Sequence, residues 1–194
     1  MEDITKNEML FVLSIFKSPE IEYNANNIAK HLEISSMGAL KIAKKLEKQN
    51  ILISKELGKA KFYKLNLNSD YVKQYIKFLL KRESEQAPSY IKRWLLEVKK
   101  IKNSYSAILF GSVLKKYGEA KDIDVLLITD KKKFSELKKE IEEINLINIK
   151  KLHPVYQTKK DFIENIKKQD KVILNTIKGV VVFGEDTIID LFKK

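Results

Sequence analysis

The chain has 194 residues, 44% of them hydrophobic, with 38 Lys and Arg against 26 Asp and Glu, for a formal net charge of +12. That apolar fraction excludes wholesale disorder, the absence of cysteine removes disulfide frameworks, thiol nucleophiles and thiolate zinc sites, and the length fits one large domain or two small ones. No apolar run approaches the roughly 20 residues of a membrane span, and the acidic start Glu2-Asp3 lacks the basic, apolar leader of a signal peptide, so a cytoplasmic protein with no membrane association is expected, its positive excess suited to a polyanion.

Residues 5–17 place Met9, Leu10, Leu13, Ile15 and Phe16 on one helical face after a cap at Thr5. Asn24 to Leu32 reads as a short second helix with Ile28, Ala29 and Leu32 facing in. A turn at Glu33-Ile34-Ser35 leads to a third helix, capped by Ser35 or Ser36 and running to about Gln49, with Ala39, Ile42, Ala43 and Leu46 apolar and Lys41, Lys44, Lys45 and Lys48 on its other faces. Two β-rich runs follow, Ile51 to Ser54 and Phe62 to Leu65. The seven residues between them form a hairpin connection in which Gly58 supplies the positive φ of a tight turn. Residues 24 to 64 hold nine lysines against three glutamates, a local balance of +6.

Helix, short helix, turn, basic helix and basic hairpin is an order that resembles the winged helix-turn-helix family over residues 4–66. The resemblance implies DNA as partner, with the third helix in the major groove. On this reading Ser35, Ser36, Lys41, Lys44, Lys45, Lys48, Lys59 and Lys61 are the candidate DNA-binding residues. The serines are small enough for close approach, and each lysine that neutralises a phosphate steepens the salt dependence of binding. No arginine stands on the third helix, so base readout is expected either to be modest or to rest on Ser35, Ser36, Met37 and the wing. The alternatives are that the same fold serves a protein interaction, or that the lysines only solvate an exposed face.

Residues 70–102 read as two more helices broken around Pro88, the first with Tyr71, Ile76, Phe78, Leu79 and Leu80, the second with Tyr90, Ile91, Trp94, Leu95, Val98 and Ile101. Trp94 belongs to a core or an interface. These helices are expected to connect two halves and to be available for packing against a second copy in a homodimer.

From Ser106 the pattern changes to α/β. Ala107 to Phe110 is a buried strand, Gly111-Ser112 follows it, Val113 to Tyr117 is helical, and Asp122-Ile123-Asp124 opens a strand through Ile128. Alternation puts Asp122 and Asp124 on one face and Ile123 on the other. Two neighbouring carboxylates repel unless a divalent cation sits between them. A glycine and a serine between a strand and a helix start are suited to phosphate oxygens. Together the two devices describe a metal-bound nucleoside triphosphate. A helix at Lys132 to Ile144, a strand at Leu146 to Thr158, helices at Lys159 to Lys168 and from Ile173, a strand at Val180 to Phe183 and a helix from Thr187 complete the chain.

Gly111-Ser112 followed after nine residues by Asp122-Ile123-Asp124 resembles the signature of the minimal nucleotidyltransferases in the DNA polymerase β-like superfamily. The spacer is one residue shorter than usual there, and Lys121 stands where a serine often does. The resemblance implies that Gly111 and Ser112 hold phosphates, that Lys115 or Lys116 contacts the triphosphate, and that Asp122 and Asp124 are catalytic residues ligating Mg²⁺ with ATP or another nucleoside triphosphate as substrate or ligand. It also implies a third carboxylate on a later strand. The strand expected at 146–158 has none; His153 lies in it, next to Pro154, which is expected to disturb a regular ladder, and Glu143 and Asp161 only flank it.

The expected fold class is α/β (α+β): a winged helix-turn-helix at 1–68, a helical connector at 69–103 and a nucleotidyltransferase fold with a small mixed sheet at 104–194. The expected function is a DNA-binding protein whose second domain binds Mg-NTP and transfers a nucleotidyl group to a protein or nucleic-acid hydroxyl. The alternative is a transcriptional regulator with a catalytically degenerate domain that senses nucleotide. Relatives of the second domain serve in toxin–antitoxin pairs, which implies a HEPN-type protein partner.

Overall fold

Thr5 accepts a hydrogen bond from Glu8 N–H at 3.2 Å while the Glu8 carboxylate takes Thr5 N–H at 2.8 Å, a reciprocal cap that starts α1, Lys6–Lys17. Helix α2, Ala25–Leu32, is capped in the same way by Asn24 and Asn27. Its end is closed by Glu33 in the left-handed region at φ 55°, with Ile34 N–H returning to the Ala29 carbonyl. Ser35 then caps α3, Ser36–Lys48, through Gly38 N–H at 3.0 Å. The computed structural model describes residues 3–58, 60–116 and 119–193.

Strands β2, Leu52–Leu57, and β3, Ala60–Leu65, pair antiparallel in continuous register from Leu52↔Leu65 to Leu57↔Ala60. Gly58 has φ +61° at the tip. The wing is therefore longer than the sequence suggests: most of the segment read as connection is strand. A two-residue strand β1, Tyr23–Asn24, joins β3 on its other edge, giving the order β1-β3-β2. Phe11, Val12, Ile28, Ala39, Ala43, Leu46, Ile51 and Tyr63 form the buried interior beneath these elements. This is a winged helix-turn-helix.

The chain divides into compact units Met1–Leu79 and Leu80–Lys194, the division falling inside α4, Asp70–Glu85. Helix α5, Ser89–Val98, is not a connector. Its Ile91, Trp94, Leu95 and Val98 are buried in one cluster with Leu109, Val125, Leu127, Leu137 and Ile141 of the second unit.

The second unit is built on β4, Ser106–Phe110, α6, Val113–Lys116, β5, Ile123–Ile128, α7, Phe134–Ile147, β6, Leu152–Gln157, α8, Lys159–Lys167, α9, Lys171–Thr176, β7, Val180–Phe183, and α10, Glu185–Phe192. The sheet order is β6-β5-β4-β7, with β5 and β6 parallel and the other pairs antiparallel, a mixed sheet. The long strand expected at 146–158 is half that length. Leu146 and Ile147 end α7, and Asn148 behind them donates its amide to the Ile144 carbonyl at 2.9 Å and to Glu97 at 3.0 Å. Pro154 leaves the β5–β6 register unbroken from Ile123↔Leu152 to Ile128↔Gln157, because β6 is an edge strand and proline's missing N–H can face outward. Among the described residues no helix is long and apolar enough to cross a membrane.

Candidate functional site

The chemistry-bearing side chains of the second unit gather at one end of the sheet. Phe110, the last residue of β4, pairs with Asp124 in β5, and Asp124 pairs in turn with His153 in β6. Residues in register across a sheet point to the same face, so Asp124 and His153 are neighbours by construction. His153 Nδ1 is 3.2 Å from Asp124 Oδ1, an ion pair or a neutral hydrogen bond according to the imidazole tautomer. Ile123 is fully buried, Asp122 is exposed and Asp124 is half-buried, which is the alternation the sequence predicts.

Gly111 follows β4 at φ +81°, and a Cβ there would lie 2.0 Å from Asp124 Oδ2. Only a bare Cα lets the backbone lie against this carboxylate. One Asp124 oxygen thus faces His153 and the other faces Gly111. Ser112 follows, its carbonyl accepting from Lys115 and Lys116 N–H at 3.0 and 2.8 Å as α6 begins.

A cleft of about 600 Å³ opens beside this turn, lined by Phe110, Gly111, Ser112, Leu114, Lys115 and Lys116 on one side and by Val172, Asn175, Lys178 and Gly179 on the other. All four residues expected to bind nucleotide are in that lining. Among the described residues three lysines and no carboxylate line it, which gives its walls positive charge. The cleft is within the size of ordinary small-molecule sites, about 300 to 1,000 Å³. Sequence reading does not find the 172–179 wall. The signal available is the spacing of 172, 175 and 178, three exposed positions alternating with buried Ile173, Leu174, Thr176 and Ile177.

Mg²⁺ commonly takes one or two carboxylates together with substrate phosphates rather than an all-protein cage. Asp122 and Asp124 fit that pattern as hard oxygen donors. Among the described residues no group of three or more His, Cys, Asp and Glu side chains is arranged to hold a metal ion. Asp161 cannot complete the pair: it follows the far end of β6 and caps α8 through Thr158. Glu143 is on the exposed face of α7.

In the first unit Ser35 and Ser36 are exposed at the start of α3, and Lys41, Lys44 and Lys48 are exposed along it. Positions 37, 41, 44 and 48 share one stripe of the helix, opposite Ala39, Ala43 and Leu46 in the core. Two of the expected DNA contacts are differently engaged. Lys45 Nζ is 2.7 Å from a Glu8 carboxylate oxygen. Burial works against ionisation of Glu8, but hydrogen bonds from Lys45 and Thr5 outweigh it and hold the carboxyl below its usual range. Lys61 Nζ is 2.8 Å from Glu47, which also accepts from Ser54 at 2.6 Å. That hydrogen bond to Glu47 raises the Lys61 ammonium above its ordinary value. Both lysines tie α3 to the rest of the unit. Lys59 lies outside the described residues.

The polymerase beta, nucleotidyltransferase family model matches residues 91–179. The match begins in α5, spans the Gly111-Ser112 turn and the Asp122–Asp124 pair, and ends at Gly179. The second unit thus carries a nucleotidyltransferase-like domain. Among solved structures, the adhesin competence repressor AdcR from Streptococcus pyogenes is similar at 21% identity, covering 49% of this chain and 68% of its own, with a TM-score of 0.36. No curated protein matches the chain significantly.

Proposed function

We propose that the chain is a DNA-binding protein whose second unit binds a nucleoside triphosphate with Mg²⁺ and transfers its nucleotidyl group to a hydroxyl on a protein or nucleic acid. The observation that carries this reading is the contact of Gly111 with the Asp124 carboxylate. It brings the phosphate-suited turn and the metal-suited carboxylates to one strand end, beside a basic cleft of nucleotide size.

In this reading Ser112 Oγ and the amides of the Gly111-Ser112 turn donate to phosphate oxygens, and Lys115 and Lys116 offset their charge. Asp122 and Asp124 would hold Mg²⁺, which when bound neutralises charge on the phosphates and on the attacking and leaving oxygens. The acceptor oxygen forms a bond to the α-phosphorus, the bond to the bridging oxygen breaks, and pyrophosphate leaves with that electron pair while the hydroxyl gives up its proton. Exposed Lys41, Lys44 and Lys48 on α3 support binding of duplex DNA by the first unit.

One observation favours a second reading. Where the family resemblance implies a third carboxylate, the neighbour of Asp124 is His153, an imidazole that suits Mg²⁺ less well than an oxygen donor. A regulator that senses nucleotide without turning it over would need no third carboxylate. Pyrophosphate release from each of the four nucleoside triphosphates, with Mg²⁺ and with nucleic-acid and HEPN-type protein acceptors, separates the two. Transfer predicts release by the wild-type chain that Asp124→Asn abolishes. Nucleotide binding with no release from any acceptor supports the sensor, and no nucleotide binding at all sinks both.

A further inference from the structure

Helix α9 has one side in the core and one edge in the cleft. Ile173, Leu174 and Thr176 are buried, and Asp170 caps the helix through Ile173 N–H at 3.0 Å, so its rotation about its axis is fixed. The residues left facing out, Val172 and Asn175, then Lys178 beyond the helix end, all line the cleft opposite Gly111 and Ser112. Residues three apart on a helix share a face and climb about 4.5 Å per step. Gly179 sets how close this edge comes to the strand end: a Cβ there would be 2.2 Å from the Leu109 carbonyl oxygen and 2.9 Å from Phe110 Cβ. The glycine therefore lets Lys178 approach the end of β4, next to Gly111-Ser112. Asn175 and Val172 lie one helical step apart on the same edge, leading back along the chain from Lys178.

Resting on the nucleotide-binding reading above, we infer that the 172–178 edge is the second wall of the nucleotide site, with Lys178 binding phosphate and Asn175, beside Val172, binding the nucleoside and setting base preference. The order along the wall matches the polarity of a nucleotide. The ammonium lies at the end that holds the phosphate-suited turn. An amide, which both donates and accepts, stands next to an apolar side chain at the other end, where a base offers an edge and a flat apolar face. Lys178 joins Lys115 and Lys116 in the lining of the cleft.

The test is equilibrium binding of Mg²⁺ with α,β-methylene analogues of the four nucleoside triphosphates, and of the corresponding monophosphates, to the full chain and to Lys178→Ala, Asn175→Ala and Ser112→Ala. Lys178→Ala is expected to weaken triphosphates about tenfold, the scale of one hydrogen bond to a charged group, and monophosphates much less. Asn175→Ala is expected to narrow the differences among the four bases while weakening mono- and triphosphates alike. Both positions are exposed, and an unchanged Trp94 fluorescence melt verifies that the variants fold. Loss of binding in Ser112→Ala with no change in either wall variant overturns this inference and leaves the nucleotide site standing. Equal weakening of mono- and triphosphates by Lys178→Ala overturns the assigned role. Failure of the wild-type chain to bind any triphosphate removes the inference along with the reading it rests on.

Discussion

Gly58 and Gly111 both have positive φ, +61° and +81°, for different reasons. A Cβ at Gly58 meets nothing within 4 Å, whereas one at Gly111 meets the Asp124 carboxylate at 2.0 Å. At Gly58→Ala only the left-handed backbone opposes stability, by about 1–2 kcal/mol. Gly111→Ala adds a steric conflict that only movement of Asp124 can relieve. The expectation is that both variants melt earlier, but that only Gly111→Ala loses triphosphate binding, by at least about tenfold if one charge-assisted hydrogen bond is displaced. Thermal denaturation and nucleotide binding, measured on the same two variants, check it; full binding by a folded Gly111→Ala would mean that the glycine's contact with Asp124 has no part in the site.

At the scale of elements, α3 sorts its lysines by what they touch. Lys41, Lys44 and Lys48 share an exposed stripe, while Lys45 and, from the wing, Lys61 are held by Glu8 and Glu47. Replacing the first three with alanine should flatten the log–log dependence of DNA affinity on salt by about 0.9 for each phosphate that is no longer neutralised. Replacing Lys45 or Lys61 should lower the melting temperature and leave that slope nearly unchanged. Anisotropy titrations of labelled duplex DNA across a salt series read the slope, and an equal fall for Lys61→Ala would refute the sorting. This division is not legible in the sequence, because it depends on partners 37 and 14 positions away. The elements themselves are legible wherever the signal is local: the caps at Thr5 and Ser35, the turn at Gly58, and the Gly111-Ser112 and Asp122-Ile123-Asp124 motifs beside their strands. Where structure depends on distant partners, the local pattern misleads. The wing flanks read as loop because most of the segment is exposed on both faces and shows no alternation. Residues 146–149 read as strand because they are largely apolar, although Leu146 is 83% and Ile149 98% exposed. The α9 wall of the cleft needs the whole sheet in place before it faces anything.

For the whole molecule, the single tryptophan falls in the second unit, which makes the two units separately observable. Trp94 is buried in the core of the second unit, so its fluorescence follows that unit alone. Far-ultraviolet circular dichroism follows both. Leu127, on β5, and Leu46, on α3, are each fully buried in their own unit. Truncating either to alanine removes buried methyl groups and leaves a cavity, at a cost of about 2–5 kcal/mol. If each unit unfolds as its own cooperative body, Leu127→Ala lowers the fluorescence midpoint and leaves DNA binding intact at temperatures below the first unit's transition. Leu46→Ala then lowers a circular dichroism transition and the DNA affinity while the fluorescence midpoint and nucleotide binding stay in place. Parallel shifts of both probes in both variants would mean instead that α4, which carries the division between the units within one continuous helix, couples them into a single folding transition. That result would also give the sensor reading its physical route, since nucleotide binding stabilises whatever cooperative body contains the site, and that body would then include α3.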